Sequence, residues 1–213
     1  MSKIKTESII FDMDGTLWDS AESVAESWNR VVADMKDVDR TFTADDIKGV
    51  MGMPMDAIAA VFFGNVSKKR QMQIMDECSE YENEYLLLHG GRIYEGLEEV
   101  LEELSKSFRL FIVSNCQSGY IEAFLEYYGF EKYFTDIACW GDNELPKGEN
   151  IKLIMEENNV EKAVYVGDIQ GDCDSAYYAG AGFIHASYGF GEVDRCDGSI
   201  EDIRQLPDIL EAM

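Results

Sequence analysis

Asp12-Met13-Asp14-Gly15 places two carboxylates two residues apart, followed by glycine, directly after the apolar run Ser8-Ile9-Ile10-Phe11. Neighbouring acids repel, which favours a bound cation or one protonated member, and glycine lets the backbone approach an anion closely. A second acidic group, Gly167-Asp168-Ile169-Gln170-Gly171-Asp172, follows Val164-Tyr165-Val166 and offers hard oxygen ligands that suit Mg²⁺. Read alone, the first group is also consistent with a surface turn and the second with a helix N-terminal acid. A calcium loop fails for both. Position six is Leu17 counted from Asp12 and Cys173 counted from Asp168, where glycine is required, and position twelve from Asp168 is Ala179 rather than Glu.

Between these groups, Ser114-Asn115 closes the apolar run Phe108 to Val113 and precedes a helical pattern. Its hydroxyl and the following N–H groups suit a phosphate, although a simple helix cap is the commoner meaning of such a pair. Lys147, in Leu145-Pro146-Lys147-Gly148, is expected in a loop entering a helix. There it either neutralises a phosphoryl group or, like most lysines, is solvated.

The elements that must position these groups follow from periodicity. Ser8 to Asp12, Phe108 to Val113, Asp136 to Trp140, Val164 to Asp168 and Gly182 to Ser187 read as buried strands, the last of them as the final strand. Helical spacing is seen in Val24, Trp28, Val31, Val32 and Met35, with Ser20 as N-cap. It recurs in Leu97, Val100, Leu101 and Leu104, and in Ile121, Phe124, Leu125 and Tyr128 with Gly129 as C-cap. Further helices are expected at Ile151 to Glu157, at Ala176 to Ala179, and around Ile203, Leu206 and Leu210. Alternating strands and helices predict an α/β fold, a Rossmann-like parallel-sheet core of three α/β/α layers, with Asp12, Ser114 and Asp168 at the carboxyl edge where ligands bind. From residue 18 to 91 no period-2 segment interrupts the helix formers. That stretch is expected to be an inserted α-helical cap, leaving 1–17 and 92–213 as the core.

The 213 residues carry 18 Lys plus Arg against 42 Asp plus Glu, a net charge of −24, which argues against nucleic acid as a partner. No apolar run approaches the roughly 20 residues of a membrane span, and the start lacks a signal-peptide pattern, so a cytoplasmic protein is expected. Five cysteines with no C-x-x-C pair indicate neither a disulfide framework nor a zinc site. His89 and His185, outside every motif, are expected to be structural.

The ordered set resembles the haloacid dehalogenase superfamily, in its phosphatase-type, phosphoglycolate phosphatase-like members with a helical cap. The likeness runs through FDMDGTLWDS (Phe11 to Ser20), IVSNCQSGY (Ile112 to Tyr120), LPKGEN (Leu145 to Asn150) and VGDIQGDCDSAYYAG (Val166 to Gly180). It implies a Mg²⁺-dependent hydrolysis of a small-molecule phosphate ester, with Asp12 as nucleophile and Asp14 as general acid and base. It implies Mg²⁺ held by the Asp12 carboxylate, the Asp14 backbone carbonyl and Asp168, with Asp172 as ligand or as support behind the ligands. It also implies phosphate contacts from Ser114, Asn115, Lys147 and the backbone near Gly15. An acid at Asp14 favours phosphoryl transfer over dehalogenation, and the lack of a His in Ser20 to Val24 favours hydrolysis over a phosphomutase. A phosphomutase and a low-turnover phosphate-binding regulator remain the alternatives, and a monomer or homodimer is expected. The loop Lys48 to Pro54 is expected to close over the site, with Lys48 or Met51 reaching the substrate.

Overall fold

The computed structural model describes residues 6–212; Met1–Lys5 and Met213, which end the segments expected to form the core, lie outside the described residues. In chain order, β1 (Ser8–Phe11) and the short β2 (Trp18–Asp19) lead into four helices, α1 (Ala21–Val32), α2 (Ala44–Lys48), α3 (Met55–Phe62) and α4 (Lys68–His89). The chain returns through β3 (Arg92–Ile93), α5 (Leu97–Leu104), β4 (Arg109–Ser114), α6 (Tyr120–Tyr128), β5 (Phe134–Cys139) and α7 (Trp140–Asn143). It ends with α8 (Lys147–Glu157), β6 (Ala163–Gly167), α9 (Gln170–Ala179), β7 (Gly182–Ala186), β8 (Gly198–Ile200) and α10 (Leu206–Ala212).

Six parallel strands form one sheet in the order β5-β4-β1-β6-β7-β8. Its central strands carry side chains into two separate apolar clusters, one per face, as expected of a sheet covered on both sides. Ile9, Phe11, Leu110, Ile112, Val164 and Val166 pack with residues of α1, α5, α6 and α10. Ile10, Phe111, Val113 and Tyr165 pack with Ile151 and Ile154 of α8 and Cys173 and Ala176 of α9. Strand order turns about β1, since the chain fills the β4 side before crossing to the β6 side. Such a switch point opens a crevice at the carboxyl ends of the strands.

Between β2 and β3 the chain forms four helices joined by loops, and the two strands pair antiparallel, Trp18 with Ile93 and Asp19 with Arg92, so the segment leaves and re-enters the core through adjacent backbones. Aromatic packing binds α1 to α3 internally, with Trp28, Phe42 and Phe62 in edge contacts.

Several local expectations are corrected. Lys147 does not lie in a loop: it opens α8, because Pro146 has the extended backbone of an N-cap and its fixed φ leads directly into the helix. Strand β5 begins at Phe134 and stops at Cys139, with Trp140 opening α7. β7 is not the last strand, since β8 adds to its edge. Ser20 stands at the N-cap of α1 without capping it, because its hydroxyl is drawn to Asp14.

Candidate active site

The carboxyl ends of β1, β4 and β6 bring Asp12, Ser114 and Asp168 to one edge. Asp12 follows β1 directly and donates its backbone N–H to the Val166 carbonyl at 2.9 Å. Asp12 is 3% exposed. Lys147 reaches it from the first turn of α8, 2.7 Å from Asp12 Oδ1 and 2.6 Å from Asp172 Oδ1. Asp172 in turn accepts the backbone N–H groups of Asp168 (3.1 Å) and Ile169 (3.2 Å), holding the start of α9 against the site. Asp168 is fixed by the Phe190 N–H, 2.7 Å from its Oδ2. His185 supports the same stretch, its Nε2 lying 3.2 Å from the carbonyls of both Asp168 and Gly191.

Asp12, Asp168 and Asp172 each offer an oxygen within 4.8 Å of the others, and all three are buried. Lys147 is the cation among them. Burial first, and then the Asp172 charge, push the Asp12 carboxyl up to about 7, while Lys147 pulls it down. Burial together with Asp12 and Asp172 pushes Asp168 up to about 8. Burial opposes the charge on Lys147, but Asp12 and Asp172 outweigh it and hold the ammonium protonated. A buried, mutually repelling set of hard oxygens fits a small divalent cation such as Mg²⁺.

Asp14 faces a different environment. Its Oδ1 accepts the hydroxyls of Ser20 (2.7 Å) and Tyr120 (2.8 Å), whose oxygens lie side by side, 2.7 Å from each other. Burial pushes its carboxyl up to about 6 against the opposing pull of those two bonds, within reach of a neutral-pH acid and base. Among the described residues, the N–H groups of Met13 and Asp14 have no acceptor. Gly15, by contrast, spends its N–H on the Trp18 carbonyl at 2.9 Å. Its contribution is space: at φ +83° a Cβ would stand 2.1 Å from Asp168 Oδ2, so only glycine allows the β1 loop to lie against the β6 loop.

Ser114 is 5% exposed at the end of β4 and borders, with Asp14, a cavity between the sheet edge and the helical segment. Asn115 is turned toward that segment, its Nδ2 donating to the Gly52 carbonyl at 2.8 Å. Met51 borders the cavity. Lys48 does not, because Asp19 Oδ2 holds its ammonium at 2.7 Å beside the Phe190 ring. Two residues with no role in the sequence reading emerge here, Tyr120 and Glu82. Tyr120 sits at the end of a motif and carries no separate signal. Glu82 does: Ile74, Met75, Cys78, Tyr85 and Leu86 mark the buried face of α4, and Glu82 falls on that face at helical spacing.

Comparison with known proteins agrees with this geometry. A family model described as haloacid dehalogenase-like hydrolase matches residues 9–186. A phosphoglycolate phosphatase of Vibrio parahaemolyticus is 24% identical over 100% of this chain and 98% of its own. A phosphorylated carbohydrates phosphatase of Thermotoga maritima is 27% identical over 82% of each chain. Among solved structures, a haloacid dehalogenase-like hydrolase of Bacteroides fragilis superposes with a TM-score of 0.82 at 22% identity, covering 95% of this chain and 100% of its own, a likeness of fold.

Proposed function

The chain belongs to the haloacid dehalogenase-like hydrolase family, and from that premise we propose that it is a Mg²⁺-dependent phosphatase of small phosphate monoesters working through an aspartyl-phosphate on Asp12. The observation that carries this reading is the convergence of Asp12, Asp168, Asp172 and Lys147 in one buried cluster, with the separately held Asp14 beside it. The phosphatase names of the curated relatives support it.

In this mechanism an Asp12 oxygen attacks phosphorus as the ester P–O bond breaks, and protonated Asp14 gives its proton to the leaving oxygen. Asp14, now a carboxylate, takes a proton from water as that water attacks phosphorus, breaking the bond to Asp12 and releasing inorganic phosphate. Lys147 neutralises phosphoryl oxygens and favours the ionised form of Asp12, and Ser114 with the free N–H groups of Met13 and Asp14 holds the phosphoryl group. Asp12, Asp168, Asp172 and the Asp14 carbonyl would hold Mg²⁺, whose positive charge offsets that of the phosphate and the acids. Asn115 ties the core to the Gly52 loop, and residues 18–91 act as a cap that excludes water.

The test is phosphate release from a panel of small esters with and without Mg²⁺, with Asp12→Asn alongside. Metal-dependent release that disappears in Asp12→Asn is the expected result. Equal release by the variant overturns the nucleophile assignment, and no release from any ester overturns the phosphatase reading.

A further inference from the structure

Apart from Ser114, whose hydroxyl the proposed mechanism gives to the phosphoryl group, the side chains lining the cavity beside Asp14 leave acceptors free, because the donors of Tyr120 and Gln117 are spent on Asp14, Glu82 and Asn83. Trp28, Met51, Met53 and Ile58 give it apolar walls around a volume of about 50 Å³. A space this small favours a short leaving alcohol over a bulky one.

Within those walls lies Glu82, 3% exposed. Its carboxylate accepts hydrogen bonds from Trp28 Nε1 and, at 2.8 Å, from Gln117 Nε2, and none of the described groups acting on it is a cation. Each of its oxygens keeps a second lone pair. Asn115 adds another acceptor: the Gly52 carbonyl requires a donor and so fixes the amide orientation, leaving Asn115 Oδ1 buried with no partner. Among the described residues that line the cavity there is no Lys, Arg or His. The site therefore offers acceptors without a counter-charge.

We propose that this cavity selects phosphate monoesters whose leaving group is short, not anionic and equipped with a hydroxyl or ammonium donor, and that Glu82 rejects leaving groups ending in a carboxylate or a second phosphate. The inference rests on the phosphatase reading above. A donor on the substrate satisfies Asn115 Oδ1 and a free lone pair of Glu82. A carboxylate at the same place satisfies neither and faces a like charge inside an apolar wall, where repulsion is poorly screened. Burial pushes the Glu82 carboxyl up to about 7, so an assay at pH 8 finds it mostly charged.

The experiment compares kcat/KM at pH 8 with Mg²⁺ for 2-hydroxyethyl phosphate, ethanolamine phosphate and 2-phosphoglycolate, which have leaving groups of nearly equal size. Acetyl phosphate, short and activated, reports phosphoryl transfer independently of a donor. The hydroxyl and amine esters are expected to exceed 2-phosphoglycolate by about tenfold or more, and Glu82→Gln to narrow that ratio by about as much. If 2-phosphoglycolate is turned over as well as the hydroxyl ester while acetyl phosphate is hydrolysed, the cavity inference is wrong and the phosphatase reading stands. An unchanged ratio in folded Glu82→Gln removes Glu82 as its cause. Failure on all four compounds removes both the inference and the reading beneath it. The wild-type ratio is decisive even where Glu82→Gln folds poorly.

Discussion

Tyr120 and Ser20 decide how Asp14 is presented. Both hydroxyls converge on one carboxylate oxygen, which leaves the other oxygen without a protein partner among the described residues. A carboxyl that passes a proton in both directions needs a fixed orientation more than it needs an extra charge. Tyr120→Phe removes one of the two constraints while keeping the ring against Trp18. A hydrogen bond to a charged group is worth about 1.5–3 kcal/mol, which sets the upper limit of the effect at about one to two orders of magnitude in kcat. The expected outcome in steady-state kinetics is a fall in kcat of about tenfold with KM little changed, because Tyr120 is not among the proposed phosphate contacts. A change confined to KM would place Tyr120 in substrate binding instead.

Loop and helix geometry carry the next layer. The turn after α2 holds Gly52 at φ +82°, where a Cβ would meet Ile169 Cδ1 at 2.4 Å, and its carbonyl takes the Asn115 hydrogen bond. Gly52→Ala adds left-handed backbone strain of about 1–2 kcal/mol at the contact between the helical segment and the core. At about 2–4 °C per kcal/mol for a chain of this size, the melting temperature should fall by several degrees, and KM should rise with it. On α4 the consequence of burial is read through pH. Glu82 is pushed from 4.5 to about 7, mainly by burial. Between those values the native state keeps a proton that the unfolded chain has lost, so this group's contribution to stability falls as pH rises through the window. Asp14, Cys78 and Tyr120 are the titratable groups that interact with it. Glu82→Gln lacks the ionisation, so its melting temperature relative to wild type should increase from pH 5 to pH 8. A constant difference would mean that Glu82 titrates normally.

At the scale of the whole molecule, a net charge of −24 surrounds a cluster that must accept an anion. Surface charges beyond a Debye length of about 8 Å act weakly on the site, whereas three carboxylates within 4.8 Å act on each other directly. Ligand binding to the native state raises stability by mass action, and a divalent cation adds relief of that repulsion. Millimolar Mg²⁺ is therefore expected to raise the melting temperature of the wild type in a calorimetric scan, and Asp168→Asn to lose most of that increment. Without metal, Asp168→Asn should melt no lower than the wild type, since the variant removes one of the repelling charges and its amide oxygen still accepts the Phe190 N–H. A variant that keeps the full Mg²⁺ increment would show that the cation binds elsewhere.

The sequence by itself determined the strand ends and what stands at them. Short apolar runs ending in Asp12, Ser114 and Asp168 are local patterns, and a buried parallel strand needs little more than such a run to be legible. The helical nature of the stretch after β2 was legible from its helix formers and the lack of a period-2 segment. Strand order, the added β8 and the helical position of Lys147 were not, because crossovers and local starts depend on packing against neighbours. Only the tertiary structure brought Lys147 to Asp12 across 135 residues and Tyr120 to Asp14 across 106. It also turned Glu82 into a cavity wall: helical spacing marks the residue as inward-facing, but what an inward-facing acid meets is set by the helices and loops that close around it. Chemistry at a strand end is written locally, while the cavity exists only where two parts of the chain meet.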